Sequence, residues 1–246
     1  MFKGHKSVVN SVAFSPNGRF LVTGSDDWSV RIWNIRDGSS KVLPVTSRAG
    51  CFISVAFSPN GRYIVGGNWN HSLWIWDSRK HTLLAKWWGH TNGVWSTKFT
   101  PDGRGLMSGS KDQTVKHWNL SSLGIQGALV GGGGRGFPEV RSFLGHTVRF
   151  YSRTFFLPHK VDGETFTQGP VRSIAFFPGG QWIVTGSADQ TVRVWDSKSG
   201  VCQLTLQGHM DRVRGVDVSR TQNLLLTASD DGRVVLWRYE LQNALS

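Results

Sequence analysis

The sequence predicts an all-β protein built from five repeated antiparallel units, and three recurring features predict it. First, one phrase returns along the chain: GSDDWSVRIWN from Gly24, GNWNHSLWIWD from Gly67, GSKDQTVKHWN from Gly109, GSADQTVRVWD from Gly186 and ASDDGRVVLWR from Ala228. Second, an alternating apolar run such as VAFSP, TKFTP or IAFFP precedes each copy. Third, Gly-His pairs occur at Gly4-His5, Gly89-His90, Gly145-His146 and Gly208-His209. Self-similarity at a period of roughly 40–45 residues marks small sheets repeated around an axis.

Each unit reads as three short strands and a weaker fourth. In the first, residues 4–43, the run from Val9 to Phe14 alternates as a strand half buried against its neighbour. Ser15-Pro16-Asn17-Gly18 turns the chain, because Pro presets φ and Gly accepts φ > 0. Phe20 to Gly24 returns, Asp26-Asp27 turns again, and Val30 to Trp33 runs back towards Asp37-Gly38 and a fourth strand near Lys41. The second unit, 51–88, keeps SVAFSPNGRYIVGG and LWIWD but has no Gly-His, and carries Asn68 and Asn70 where other copies have Ser and Asp. The third, 89–146, holds a glycine-rich insertion at 121–139. Its run Gly131 to Gly134 lacks the Lys-Ser/Thr of a phosphate loop, so it reads as a surface excursion. The fourth and fifth units are 169–207 and 208–240.

All 246 residues read as one domain, and twelve Trp with fourteen Phe supply large apolar surfaces for packing sheets. No apolar run approaches the roughly 18 residues needed to cross a bilayer. The start, MFKGHKSVVN, lacks the apolar core of a secretory signal. Only Cys51 and Cys202 occur, which fits a reducing compartment better than a disulfide framework. The net charge of +12 suggests an acidic or nucleic-acid partner, but the cations are spread over all the units without a dense basic tract, which favours a solvated rim.

The paired Gly-His and Trp-Asp signatures resemble the WD40 family of β-propellers. That resemblance implies a buried chain of hydrogen bonds in each blade, from turn Asp to His to a Ser or Thr to the strand Trp, since buried polar groups must be paired. By matched position the first blade offers His5, Ser25, Asp27 and Trp33; the third His90, Ser110, Asp112 and Trp118; the fifth His209, Ser229, Asp231 and Trp237. The fourth offers Ser187, Asp189 and Trp195, with His146 joining if the intervening segment loops out; the second keeps Trp76 without a His. These sets are no hydrolase triads, because they recur inside the sheet pattern and lack an exposed nucleophile beside an oxyanion hole. The histidines fall one per blade without ligand spacing, so neither metal nor other cofactor is expected. The chain reads as a non-enzyme.

Function then falls on the face where loops of successive blades converge. In this family that face displays residues flanking the first core Val of each blade and the residue before the turn Asp. Here these are Asn10, Ile53, Trp95, Arg172 and Arg214, with Gly93, Pro170 and Arg212 beside them, and Asp26, Trp69, Lys111, Ala188 and Asp230 at the turns. Two Trp among several cations suit a peptide carrying aromatic or acidic side chains.

Two irregularities bear on the reading. Propellers of this kind usually close with seven blades, and only Met1-Phe2-Lys3 precede the first Gly-His, so the chain reads as the last five blades of a longer ring. A five-bladed ring is the alternative. The segment Val148 to Gln168 also splits the fourth unit from its Gly-His. Its removal gives GHT-GPVRSIAF and restores the regular His-to-Val spacing, and its ends are encodable as intron edges. It reads as a retained intron, with a long face loop as the alternative.

The order of the irregularities resembles one family further. A blade without Gly-His is followed by a VKHWNL blade with a low-complexity insertion, then GSADQTVRVWDSKSG and a closing ASDDGRVVLWRYE. This is similar to the C-terminal propeller of the fungal general transcriptional co-repressor, the Tup-type relative of Groucho. The resemblance implies a nuclear, non-catalytic platform for DNA-bound repressor proteins, with a tetratricopeptide-repeat partner and histones as further candidates. The alternatives are a cytoplasmic or nuclear WD40 scaffold or substrate receptor of a ubiquitin ligase or signalling complex, and a basic module that binds nucleic acid.

Overall fold

The computed structural model describes residues 1–46, 49–120, 140–143 and 169–239. The glycine-rich insertion, His146 and the suspected intron at 148–168 lie outside them. Among the described residues all regular structure is strand, and every pairing is antiparallel.

Five sheets form in chain order. Blade 1 comprises β1 (Val9–Phe14), β2 (Phe20–Ser25), β3 (Val30–Asn34) and β4 (Ser40–Val42). Blade 2 holds β5 (Phe52–Phe57), β6 (Tyr63–Asn68), β7 (Ser72–Asp77) and β8 (Thr82–Trp88). Blade 3 holds β9 (Val94–Phe99), β10 (Gly105–Ser110), β11 (Val115–Asn119) and β12 (Val140–Phe143). Blade 4 holds β13 (Val171–Phe176), β14 (Trp182–Ser187), β15 (Val192–Asp196) and β16 (Cys202–Leu206). Among the described residues blade 5 has three strands, β17 (Val213–Val218), β18 (Leu224–Ser229) and β19 (Val234–Arg238). The first strands of successive blades adjoin, β1 to β5 to β9 to β13 to β17, which sets the blades around an axis as in a β-propeller.

The core is divided among the four junctions between blades. Val22, Val30 and Ile32 of blade 1 meet Phe52, Val55 and Trp76 of blade 2, and Met107 and Val115 of blade 3 meet Val171, Ile174 and Trp195 of blade 4. Close approach requires a glycine near the end of the second strand in blades 1 to 4, at Gly24, Gly67, Gly109 and Gly186. A methyl group added at Gly186 would lie 2.7 Å from Val213 Cγ1 of the next blade. Serine hydroxyls stitch the junctions as well: Ser11, Ser54 and Ser173 accept the backbone N–H of Val55, Thr97 and Val216 over 2.9–3.1 Å.

The blades form an open arc among the described residues, not the five-bladed ring held as the alternative. Val12 and Phe14 on blade 1 are 61% and 69% exposed, while Thr97 and Phe99 at the same places in blade 3 are buried. At the other end Val234 and Leu236 are 66% and 60% exposed, while Leu73 and Ile75 of blade 2 are buried.

Candidate partner-binding rim

The rim is made by an irregularity repeated in every blade. In each first strand the pairing to the second strand skips one residue: Asn10, Ile53, Trp95, Arg172 and Arg214. Such a bulge leaves the extra residue outside the ladder and re-aims its side chain. The five bulge residues are the row that the sequence assigned to the exposed face. The turn after each second strand brings Asp26, Trp69, Lys111, Ala188 and Asp230 beside them, each turn residue donating its N–H to the carbonyl of the residue just before its blade's first strand.

Contacts run along this row. Asn10 Nδ2 donates to Asp26 Oδ1 over 2.7 Å in blade 1, and Arg214 Nε donates to Asp230 Oδ1 over 2.7 Å in blade 5. Between them the Trp69 and Trp95 rings stack, with centroids 6.3 Å apart and planes 25° apart. Lys111 Nζ lies 5.1 Å from the Trp69 ring and the Arg172 guanidinium 4.0 Å from the Trp95 ring, so a cation stands at each end of the aromatic pair. Trp69 is 44% exposed. Arg212 and Arg214 flank Arg172. Burial, then the charges of Arg214 and Arg212, bring the Arg172 guanidinium down to about 10. Neither Trp95 Nε1 nor Arg172 Nε, both buried atoms, has a hydrogen-bond partner among the described residues.

The relay beneath the rim takes its hydroxyl from a different residue than the sequence suggested. Trp118 Nε1 donates to Ser108 Oγ over 2.7 Å, Ser108 Oγ lies 2.6 Å from His90 Nε2, and His90 Nδ1 lies 2.8 Å from Asp112 Oδ2. Blades 1 and 5 repeat this with Thr23 between Trp33 and His5, and Thr227 between Trp237 and His209, the rings again meeting Asp27 and Asp231. In blade 4 Trp195 Nε1 donates to Thr185. The expected residues Ser25, Ser110, Ser187 and Ser229 instead accept the N–H of Asp27, Asp112, Asp189 and Asp231, tightening the turn that carries the aspartate. The reason is register. Trp33 pairs with Leu21, so Thr23 is two residues along the strand and Ser25 four. At about 3.4 Å per residue the indole reaches only the nearer one.

Burial opposes ionisation of the relay aspartates, but surrounding N–H and O–H donors override it. The carboxyls of Asp27 and Asp112 sit well below the usual range and that of Asp231 falls to about 2. Burial also holds the His90 imidazole below its ordinary value, so the ring is neutral at pH 7 and the Asp–His pair acts as an orienting hydrogen bond. Gly89 completes the motif: a methyl group there would meet the Trp118 ring at 2.6 Å.

Blade 2 lacks the relay, as its sequence indicated, and closes the gap by other means. Gly66 occupies the hydroxyl position, and Trp76 Nε1 donates to the Pro44 carbonyl over 2.7 Å. Asn68 and Asn70 donate to the carbonyls of Gly50 and Ala49. Among the described residues no group of His, Cys, Asp or Glu could hold a metal ion, and no helix is long and apolar enough to cross a membrane.

Comparison with known proteins agrees with this architecture. The family described as WD domain, G-beta repeat matches residues 1–34, 44–77, 81–119, 158–196 and 200–238. The chain is 27% identical over 243 residues to "Nuclear distribution protein PAC1" of Arthroderma benhamiae, covering 98% of this chain and 38% of that protein. It is 25% identical over 173 residues to "Transcription initiation factor TFIID subunit 5" of Caenorhabditis elegans, covering 67% of this chain and 26% of that protein. It is 26% identical over 242 residues to "Protein HIR1" of Yarrowia lipolytica, covering 97% of this chain and 19% of that protein. The chain therefore spans well under half the length of each of these relatives.

Proposed function

The chain belongs to the WD domain, G-beta repeat family, a scaffold for protein interactions, and on that premise we propose that it is the repressor-binding part of a nuclear transcriptional co-repressor. The rim of bulge residues is its contact surface, and the protein partners are DNA-bound repressors. It carries out no bond-making step. His5, His90 and His209, with Asp27, Asp112 and Asp231, are engaged in relays that rigidify blades 1, 3 and 5.

The observation that carries the reading is the Trp69–Trp95 stack with Lys111 and Arg172 at its ends. Exposed aromatic and arginine side chains grouped at the centre of a surface dominate binding energy at protein interfaces. A nuclear, transcriptional setting draws support from the resemblance of the blade order and from relatives named as a nuclear distribution protein and a transcription initiation factor subunit.

The test compares the full chain with its Trp95→Ala/Arg214→Glu variant as baits for proteins of a nuclear extract, after circular dichroism has established equal folding. Sequence-specific DNA-binding proteins should be retained by the first and lost from the second. Equal retention would refute the rim as the contact surface, and a set of retained proteins without DNA-binding repressors would refute the co-repressor role. Washing with rising salt separates a nucleic-acid binder, since phosphate contacts weaken steeply with the logarithm of salt concentration.

A further inference from the structure

We propose that Arg172 is an anion seat, the point at which a carboxylate side chain of an extended acidic peptide docks beside the Trp69–Trp95 stack. The proposal rests on the rim being a partner surface, and goes further by naming the group that the partner supplies.

The repeat itself shows what is missing. Where the turn position carries an aspartate, that aspartate pairs with the bulge residue of its own blade: Asp26 with Asn10, and Asp230 with Arg214, each over 2.7 Å. Blade 4 places an arginine at the bulge but Ala188 at the matching turn position, which offers it no carboxylate, and the next residue, Asp189, pairs with Arg193. The two arginines differ at Nε: that of Arg214 donates to Asp230, whereas the buried Nε of Arg172 has no partner among the described residues.

The surroundings sharpen the deficit. Arg172 feels the like charges of Arg212 and Arg214, and the nearby Asp230 is already engaged by Arg214. Its guanidinium lies against the Trp95 face, which favours a cation but accepts no N–H in the ring plane. An unpaired donor next to like charges in a partly desolvated place is what an incoming anion relieves. A carboxylate on an extended backbone would occupy for Arg172 the place that Asp230 occupies for Arg214. A neighbouring aromatic or aliphatic side chain of the same peptide would lie on the indole pair.

The geometry also supplies an internal competitor. Ala188→Asp puts a carboxylate at the turn, where Asp26 and Asp230 already reach their bulge residues, and so fills the seat from within while leaving Arg172 and both Trp in place.

Fluorescein-labelled blocked hexapeptides are titrated into the full chain and followed by polarisation. Each contains one Phe and, two residues away, Glu, Gln or phosphoserine. The Glu peptide should bind the full chain at least about tenfold more tightly than its Gln counterpart, the size of one charge-assisted hydrogen bond. Ala188→Asp and Arg172→Gln should each erase that preference. Nuclear magnetic resonance gives a readout independent of peptide choice: acetate should shift the Arg172 Nε–H signal of the unaltered chain and leave that of Ala188→Asp unmoved. A Glu preference that survives Ala188→Asp overturns the seat, and so does a peptide set in which only phosphoserine binds. If Trp69→Ala abolishes binding while Ala188→Asp does not, the rim stands and the seat falls. If no peptide binds and acetate moves no signal, rim and seat fall together.

Discussion

Replacing Ser108 by Ala isolates the relay from the rest of blade 3. The fully buried hydroxyl bonds to His90 Nε2 over 2.6 Å and accepts from Trp118 Nε1 over 2.7 Å, so its loss leaves two ring nitrogens unpaired. An unsatisfied buried polar group costs about 1–3 kcal/mol, which puts Ser108→Ala, with two such groups, at roughly 2–6 kcal/mol. Ser110→Ala is milder. It abandons the carbonyls of Gly93, which still accepts the N–H of Lys111, and of the half-buried Asn92, so chiefly the Asp112 N–H is left without an acceptor, at about 1–2 kcal/mol. Equilibrium urea unfolding measures both changes, and the indole N–H resonance of Trp118 should move in Ser108→Ala alone. Adding Trp118→Phe to Ser108→Ala removes one of the stranded groups, so the two losses should sum to less than their separate values. A larger loss in Ser110→Ala than in Ser108→Ala would refute the assignment of the relay hydroxyl, as would strict additivity.

Acid should weaken the fold in two stages. Burial depresses the His90 imidazole below its ordinary 6.5, so its contribution is complete above that value and is lost as pH falls below it. The relay carboxylates of Asp27, Asp112 and Asp231 are depressed below 3.8, so theirs is present above that value and is lost as pH falls further. Urea midpoints measured from neutral pH downward should decline in both windows, and a rise in either would contradict the relay. The open arc makes a separate prediction, because Phe14 and Phe99 hold equivalent places with opposite exposure. Phe14→Ser should change stability by no more than about 0.5 kcal/mol and reduce self-association in sedimentation, while Phe99→Ser should cost about 3 kcal/mol or more.

The rim was legible from sequence because its positions are locked to the repeat. The bulge residue is always the second of its strand, and the turn residue always directly follows Ser25, Asn68, Ser110, Ser187 or Ser229. The relay hydroxyl was not. Thr23 and Ser25 lie two apart on one strand face, both can bond, and only the hairpin register decides between them. The acceptor for Trp76 was hidden for a different reason, since Pro44 lies 32 residues upstream in a connection that the repeat does not describe. The contrast between Arg172 and Arg214 was present in the letters as Ala188 against Asp230, but it acquires meaning only once the bulge places those residues side by side.

The most direct test of the rim is oxidative footprinting of tryptophan in the full chain, alone and bound to a partner purified with it from nuclei. Trp69 on the rim and Trp88 on the outer strand of blade 2 are both exposed in the free chain. The account predicts that the partner protects Trp69 and Trp95 and leaves Trp88 as reactive as before. Protection of Trp88 with Trp69 and Trp95 unchanged would contradict it.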